Sequence, residues 1–593
     1  MTALPSIMEN LAPTPAAYLQ AARRVQAGEV AGLHVLRVAV LSTVSAQLLQ
    51  PFLIVQGARQ GLQVTPWFAP FGQLEVPVLD AQGPLYAEKP DAIVIFARLE
   101  ELAPDFAGQF PAEKGEATAL LDKVSDRLCA LLRNLRERTA AALFVANFAA
   151  PEHLTCGVGD AMLESSQMAA IHGVNATLAA ACRSVSGAFI FDYARLVAEH
   201  GLRGWHDPRM LAMARQPWSV AAQIAIASAL VRTIRAAFVA PAKCLVLDAD
   251  NTLWGGVIGE EGLGGIALGD EYPGNVFKAF QKYLRNLKAR GILLALASKN
   301  EEADVLAVLD QHADSILHRE DFAVMRINWQ EKSVNLREIA AALNIGLDAL
   351  VLFDDNPFER EEVRQALPEV TVLDVPDDSL RYIATLAESS AFDQLTFSTE
   401  DQQRANLYRQ QQARDEASQT ATSPEEFLAS LGMVATIGRV GPETLPRVAQ
   451  LLAKTNQFNL TTRRHSAAQI SEMIEKGAVV LWLRLADRFG DHGLVGVAIA
   501  RPAHEQWEID TFLLSCRVIG RGVETALLAQ LSAVVQTQGG KDLLGEYCPS
   551  AKNGIVAGFY ARHGFASCGG NHWHKSLSSS EASAPYIEVH FHE

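Results

Sequence analysis

The feature that most constrains the fold is a series of short apolar runs that each end on a polar residue. Three of them are CLVLDAD at 244–250, GILLALAS at 291–298 and LVLFDD at 350–355. Runs of this length and composition are typical of strands buried on both faces of a parallel sheet. SILHR at 315–319 and VTVLDV at 370–375 predict two more strands, with amphipathic helices between them. This alternation predicts an α/β domain with a doubly wound sheet.

The carboxyl ends of these predicted strands carry residues suited to phosphoryl transfer. They are Asp248 and Asp250 with the nearby Thr252, then Ser298, then Lys332, then Asp354 and Asp355. Because parallel strands end at one edge of a sheet, their side chains converge where open α/β folds bind ligands. Carboxylates can act as nucleophile, acid or Mg²⁺ ligand, while a hydroxyl and an ammonium group can hold phosphoryl oxygens.

Four segments in this block resemble the haloacid dehalogenase (HAD) phosphohydrolases, and more closely their FkbH-like branch. They are LDADNTLWGGVIGEEG, ALASKN, FAVMRINWQEKS and LFDDNPFERE. The resemblance implies that Asp248 is the nucleophile and Asp250 the general acid and base. It further implies phosphate binding by Thr252, Ser298 and Lys332. Mg²⁺ would be held by Asp248, Asp250 and the Asp354–Asp355 pair, with the choice between those last two left open.

The third block, from about residue 428, has the mixed strand and helix pattern of an α+β domain. Arg517-Val-Ile-Gly520-Arg-Gly522 follows a predicted strand and opens a helix, and Asn553 lies downstream. Glycines there let backbone N–H groups approach a phosphate at the helix N-terminus. The segment resembles the pyrophosphate loop of GNAT acyltransferases. That resemblance implies binding of coenzyme A, or of a carrier protein's phosphopantetheine arm, by Arg517, Gly520, Gly522 and Asn553.

Cys516 stands directly before this loop, beside Arg517 and Arg521. Neighbouring cations and a helix N-terminus favour a reactive thiolate, whereas free cysteines are also common as buried packing residues. SCRVIGRG at 515–522 and TNQFN at 455–459 resemble the FkbH-like family too. That resemblance implies an acyl-carrying Cys516 that loads a glyceryl unit from 1,3-bisphosphoglycerate, a small phosphorylated substrate, onto an acyl carrier protein in polyketide-type biosynthesis.

Two other functions fit the same motifs. One is a phosphatase fused to an acetyl-coenzyme-A-dependent N-acetyltransferase, in which Cys516 carries no acyl group. The other is a non-catalytic scaffold that binds carrier proteins. The complete set of Asp, Ser, Lys and Asp at the strand ends argues against the scaffold, because binding alone does not need all four.

The first block predicts a further doubly wound domain, with strands near 33–41, 92–96, 141–146 and 188–192. Ser42, Asn147 and His206 resemble remnants of an SGNH hydrolase site. The Gly-Asp-Ser turn of that family is absent, since the sequence reads Val-Leu-Ser at 40–42. A docking or lid role is therefore favoured over hydrolysis. The predicted organisation is 1–238 SGNH-like, 239–397 HAD-like, 398–427 helical linker and 428–593 GNAT-like.

Composition limits the classes of partner and the cellular compartment that we expect for this protein. The formal net charge is −16, which disfavours nucleic acid. Seven cysteines without a paired spacing favour a reducing, cytoplasmic environment, and no apolar run predicts a membrane span. An acidic carrier protein would need a local basic patch, and we expect it in the third block. The candidates are Arg463, Arg464, Arg517, Arg521 and Lys552.

Overall fold

The computed structural model describes residues 11–108, 116–163, 166–396, 423–455, 457–503, 506–550, 552–577 and 584–592. The chain divides into two compact units. One comprises residues 2–238 with 466–469, and the other comprises 239–465 and 470–593 together with Met1. The predicted linker falls largely on residues 397–422, which lie outside the described residues.

The first unit is built on a five-stranded parallel sheet of order β2-β1-β3-β4-β5. The strands are β1 (His34–Ser42), β2 (Leu62–Phe68), β3 (Ala92–Phe96), β4 (Ala142–Ala146) and β5 (Ala188–Phe191). The strand order reverses between β1 and β3, as in other doubly wound sheets. Of the five described strands of this sheet, only β2 was not predicted. Its sequence, LQVTPWF, contains a proline and alternating polar residues, which weaken the pattern of a buried strand.

Eleven α-helices of the described residues surround this sheet. They are α1 (Pro15–Gln26), α2 (Gln50–Arg59), α3 (Glu75–Leu79), α4 (Pro84–Ala87), α5 (Leu99–Leu102), α6 (Pro104–Gly108), α7 (Glu116–Arg138), α8 (Gln167–Ser184), α9 (Tyr193–His200), α10 (Pro208–Ala214) and α11 (Val220–Phe238). By length and hydropathy α11 could cross a membrane, contrary to the expectation from sequence. Nearly half of it, 44%, is buried inside its unit, as in the core helix of a globular domain.

The second unit begins with another parallel sheet, of order β10-β9-β6-β7-β8. Its strands are β6 (Cys244–Leu247), β7 (Leu293–Ser298), β8 (Phe322–Ile327), β9 (Leu350–Phe353) and β10 (Thr371–Val372). The predicted strand at 315–319 is wrong, and β8 lies just after it. The amide oxygen of Gln281 accepts hydrogen bonds from the Ile316 and Leu317 N–H groups, which fixes that segment as a loop.

Six helices of the described residues pack around this sheet, and their apolar faces form its core. They are α12 (Ile258–Glu261), α13 (Gly274–Ala289), α14 (Glu302–Gln311), α15 (Lys332–Ala342), α16 (Pro357–Ala366) and α17 (Tyr382–Glu388). On α13 the buried residues Phe277, Phe280, Leu284 and Leu287 recur at helical spacing. The sheet and its helices hold the carboxyl ends of β6 and β9 side by side.

The rest of the second unit is a mixed sheet of nine strands, seven of which follow the order β18-β16-β15-β14-β13-β11-β19, with β17 beside β18 and β12 paired to β15. The strands are β11 (Met433–Arg439), β12 (Phe458–Asn459), β13 (Val479–Asp487), β14 (Gly490–Ala503), β15 (Gln506–Leu514), β16 (Asp542–Glu546), β17 (Ala566–Gly569), β18 (His572–Ser576) and β19 (Ile587–His592). The helices are α18 (Pro424–Ser430), α19 (Leu445–Lys454), α20 (Ala467–Glu475), α21 (Val523–Thr537) and α22 (Phe559–Arg562). The parallel pairing of β15 with β16 interrupts an otherwise largely antiparallel sheet.

Candidate active site

Three carboxylates converge at the carboxyl edge of the β6–β9 pair. Asp248 directly follows β6, and Asp354 and Asp355 directly follow β9. One oxygen from each lies within 4.8 Å of the others. The strand ends therefore bring together three of the four residues predicted as metal ligands.

Lys332 lies at the centre of this cluster. Its Nζ is 2.6 Å from Asp248 Oδ1 and 2.7 Å from Asp354 Oδ2, and it also donates to the Ala297 carbonyl at 2.7 Å. The side chain is almost fully buried, at the first turn of α15. Burial alone would lower the pKa of Lys332, but the two carboxylates outweigh it and raise that pKa. The lysine therefore holds a fixed positive charge between two acids.

Asp354 and Asp355 differ in their surroundings. Asp354 is fully buried, and its Oδ1 accepts the Asn356 N–H at 2.9 Å in addition to the contact of Oδ2 with Lys332. Asp355 is partly exposed and accepts a hydrogen bond from the Thr252 hydroxyl at 3.1 Å. Burial, and then repulsion from Asp248 and Asp354, raises the pKa of Asp355 to about 6.

The donor set fits Mg²⁺. Hard carboxylate oxygens are its preferred protein ligands, and repulsion among three close carboxylates is what a divalent cation relieves. Burial is the main cause of the raised pKa of Asp355, and repulsion from Asp248 and Asp354 adds to it. Asp248, Asp354 and Asp355 are the residues that would hold the ion, and Asp355 is the more accessible of the adjacent pair.

Asp250 lies outside the three-carboxylate cluster, although we predicted it as a metal ligand. Its Oδ1 accepts hydrogen bonds from Trp254 Nε1 at 2.9 Å and from the Ile258 N–H at 3.1 Å. Its Oδ2 accepts one from Asn300 Nδ2 at 2.9 Å. Three donors thus fix the Asp250 carboxylate in one orientation, which suits its predicted role as general acid and base. The same hydrogen bonds hold this side chain away from the three-carboxylate cluster.

Two predicted phosphate contacts and one unpredicted residue complete the edge. Ser298 ends β7, is buried, and accepts a hydrogen bond from Asn300 Nδ2 at 3.1 Å. Thr252 is also buried, with its hydroxyl directed to Asp355. Asn300 lies within the ALASKN segment, and the sequence alone indicated no role for it. Its amide joins the Asp250 and Ser298 side chains, a relation that only the folded sheet reveals.

Cys516 lies elsewhere in the second unit, just after β15, in a short 3₁₀ turn. Its side chain is partly exposed and packs against an apolar cluster beside β6 and β9. Its carbonyl oxygen accepts a hydrogen bond from Asn344 Nδ2 at 2.8 Å. Arg517 Nε donates to the Ser515 hydroxyl at 3.2 Å, whereas Arg521 is buried against Asp487, with 3.3 Å between their charged groups.

The loop after Cys516 has the backbone that its glycines predicted. Gly520 and Gly522 have φ values of +81° and +77°, and Gly522 caps α21. Asn553 is different from what we expected, because it is fully buried. Its Nδ2 donates to the Asn459 and Cys548 carbonyls at 2.9 Å, and its Oδ1 accepts the Ser550 N–H at 2.7 Å. This side chain shapes the loop and is not placed to contact a cofactor.

Most of the predicted basic patch is neutralised within the protein. Arg463 lies 2.6 Å from Glu546 and 3.1 Å from Asp510. Lys552 lies 2.6 Å from Asp348. Arg464 is exposed at the surface, and desolvation of its guanidinium group lowers its pKa. Together with the pairing of Arg521 and Asp487, these contacts reduce the positive charge of the predicted patch, and its role in binding a carrier stays a prediction.

In the first unit, Ser42 ends β1 next to the strand-order reversal, and Asn147 directly follows β4. Asn147 Nδ2 donates to Asp192 at 2.8 Å. His206 lies 3.7 Å from Glu152, and burial, reinforced by Arg98, lowers its pKa. Within the described ranges no hydrogen bond joins Ser42 to His206, so the structure does not show an assembled hydrolase triad.

Comparison with known proteins supports the phosphoryl-transfer interpretation. Residues 37–235 match the family described as the FkbH N-terminal domain. The chain is similar to the solved N-terminal part of protein BF1531 from Bacteroides fragilis, which contains a phosphatase domain and is complexed with Mg. They are 30% identical with a TM-score of 0.57, and the match covers 64% of this chain and 99% of that one. The chain belongs to this phosphatase-domain family.

This kinship confirms the HAD-like fold that the resemblance of the second block implied. The SGNH likeness of the first unit stays a prediction. A GNAT-family protein from Desulfovibrio desulfuricans is 19% identical, with a TM-score of 0.21, over 24% of this chain and all (100%) of its own. The Escherichia coli ribosomal-protein-S18-alanine N-acetyltransferase is 14% identical, with a TM-score of 0.20, over 25% of this chain and 96% of its own. No match was found among curated proteins.

Proposed function

We propose that this protein is a cytoplasmic, Mg²⁺-dependent enzyme that transfers a glyceryl group from 1,3-bisphosphoglycerate to an acyl carrier protein and removes phosphate. The observation that carries the phosphatase part is Lys332 between Asp248 and Asp354, with Asp355 beside them. Family kinship with a Mg-complexed phosphatase domain supports it. We further propose that the acyl group is transferred through Cys516 to an acyl carrier protein, and that the product enters a polyketide-type pathway.

The phosphatase step uses the residues at the β6–β9 edge. An oxygen of Asp248 attacks the phosphorus of the C3 ester, and the departing alkoxide takes a proton from Asp250. Water then cleaves the aspartyl phosphate, with Asp250 as the base. Lys332, Ser298 and Thr252 hold the phosphoryl oxygens, and Mg²⁺ when bound supplies charge compensation.

The direct test mixes the full chain, Mg²⁺, 1,3-bisphosphoglycerate and an acyl carrier protein bearing its phosphopantetheine arm. We expect intact-mass spectrometry to show a carrier that has gained a glyceryl group. Cys516→Ala abolishes that gain, whereas Cys548→Ala, at a partly exposed cysteine just after β16, retains it. A carrier that stays unmodified with the wild-type protein, while other enzymes can acylate it, contradicts the proposal.

The phosphatase part is tested by itself with Asp248→Asn. We expect this variant to lose Mg²⁺-dependent release of inorganic phosphate, whereas Asp270→Asn, at an exposed carboxylate, retains it. Equal phosphate release by both variants refutes the assignment of Asp248 as nucleophile.

A second candidate is a phosphatase joined to an acetyl-coenzyme-A-dependent N-acetyltransferase. The positive φ values of Gly520 and Gly522 at the start of α21 favour it, because they aim backbone N–H groups as a pyrophosphate loop would. This enzyme would transfer acetyl groups to an amine in the Cys516→Ala variant. Such activity, together with no acyl group on Cys516 in the wild type, would favour it over glyceryl transfer.

A further inference from the structure

A cavity of about 360 Å³ lies within the second unit, beside Cys516. One wall is formed by Lys243 and residues 345–349, which come from the HAD-like sheet. The other is formed by residues 514–517 at the end of β15, together with α19 and β12. The pocket at Cys516 is therefore incomplete without the phosphatase part of the chain.

The cavity is positively charged although the chain is strongly acidic. Its walls include the basic side chains of Lys243, Arg447, Lys454, Arg517 and Lys552. The acidic side chains of the walls are Asp348 and Glu369. The five cations and two carboxylates leave an excess of three positive charges in a chain whose net charge is −16. A concave site with this balance concentrates anions.

Two polar contacts fix the walls against each other. Asn344 Nδ2 donates to the Cys516 carbonyl at 2.8 Å, and Lys552 forms an ion pair with Asp348 at 2.6 Å. The Cys516 side chain packs against the apolar cluster that includes Ile345 and Ala349. The thiol thus has one apolar side and one side that faces a cationic cavity.

This cavity is separate from the phosphatase centre. Lys243 and Ala349 precede β6 and β9, whereas Asp248 and Asp354 follow the same two strands. At about 3.3 Å per strand residue, the two edges are roughly 16 Å apart. The cations of the cavity therefore lie too far from Lys332 to act on the same phosphate group.

We propose that this cavity is a second phosphate site, which holds a phosphate group beside the Cys516 thiol. If the proposed function holds, on which this assignment rests, the group is the acyl phosphate of the donor. The Cys516 thiolate attacks the carbonyl carbon, a carbon–sulfur bond forms, and the bond from that carbon to the phosphate oxygen breaks. Inorganic phosphate leaves with the electron pair, and the thiol proton passes to solvent. The phosphate of a carrier's phosphopantetheine arm is also an anion that these cations could bind.

The first test measures how fast iodoacetamide alkylates Cys516, by mass spectrometry of its peptide from the full chain. Inorganic phosphate at ten times its dissociation constant should slow alkylation about tenfold, relative to potassium chloride of equal ionic strength. Lys243→Gln and Lys454→Gln, one on each wall, should each weaken the phosphate dependence about tenfold. Lys476→Gln, at an exposed position just after α20 and outside the cavity, should behave as the wild type. Alkylation that is equally fast in phosphate and chloride overturns the proposal.

A second pair of measurements separates the sources of the phosphate. With acetyl phosphate as the donor, we expect an acetyl group on Cys516 in the wild type and about tenfold slower loading in Lys243→Gln. Protection by 4′-phosphopantetheine at lower concentrations than inorganic phosphate, without loading by acetyl phosphate, assigns the same site to the carrier arm. A third outcome is that phosphate protects Cys516 in a Lys243-dependent way but no acyl phosphate loads the cysteine. That outcome supports the phosphate site and refutes the proposed acyl transfer.

Discussion

Replacing Lys332 with methionine tests whether a fixed ammonium group holds the phosphoryl-transfer carboxylates together. Lys332 Nζ lies within 2.7 Å of both Asp248 and Asp354, and the side chain is 2% exposed. The substitution keeps most of the apolar stem and removes the charge. Asp248, Asp354 and Asp355 then face each other without a cation.

The expected loss is large because one partner of a buried ion pair is removed. Breaking such a pair costs about 3–5 kcal/mol, since the remaining charge is left uncompensated. For a domain of this size that corresponds to a melting temperature lower by roughly 6–20 °C. The deficit should be greatest near pH 8, where the carboxylates are ionised. It should shrink at pH 5, because the pKa of Asp355, raised to about 6, lets that carboxylate take up a proton.

Differential scanning fluorimetry of the full chain, with and without Mg²⁺, measures the effect. Lys278→Met is the matched control, because Lys278 also lies 2.6 Å from two carboxylates, Asp270 and Asp314, but at the surface. We expect a much smaller shift for the control, and partial recovery of Lys332→Met in Mg²⁺. Equal shifts for the two variants at pH 8 would refute the account of Lys332 as the central charge.

Three further predictions follow from single contacts. The pKa of Asp355 near 6 means that protons compete with Mg²⁺, so calorimetry should show metal affinity falling as the pH drops below 6, and Asp355→Asn should lose this dependence. Asn300→Ala removes the amide that orients Asp250, so the kcat of phosphate release should fall about tenfold or more with a smaller change in KM. Gly545→Ala places a Cβ 2.3 Å from the Tyr560 ring, so thermal unfolding should show a loss of about 1–3 kcal/mol.

The sequence predicted those parts of the site that depend on local pattern. An apolar run that ends on a carboxylate marks both a buried strand and the residue at its carboxyl end, so the pattern alone was enough to place Asp248 and Asp354 at the sheet edge. Asn300 could not be assigned in that way. Its partners Asp250 and Ser298 come from two different strands, and their hydrogen bonds exist only after β6 and β7 pair.

Charge was the least predictable property, because its effect depends on distant partners. Arg463 looked like part of an exposed basic face, but Asp510 and Glu546 reach it from β15 and β16. Lys243 belongs to none of the motifs identified in the sequence. Its position on a cavity wall follows from how the HAD-like sheet packs against the end of β15. Linear spacing carries no information on either relation.

The parallel pairing of β19 with β11 has a consequence for how the protein is made. The pairing joins Met433 to Ile587, so β11 lacks its outer neighbour until the last strand has been synthesised. At about 5–20 residues per second, ribosomes need roughly 7–30 s to cover that interval. During this time an apolar strand with unpaired backbone groups lies at the growing sheet's edge, where nascent chains can stick to one another. The yield of folded protein should therefore depend more on the supply of chaperones during synthesis than on the stability of the folded state.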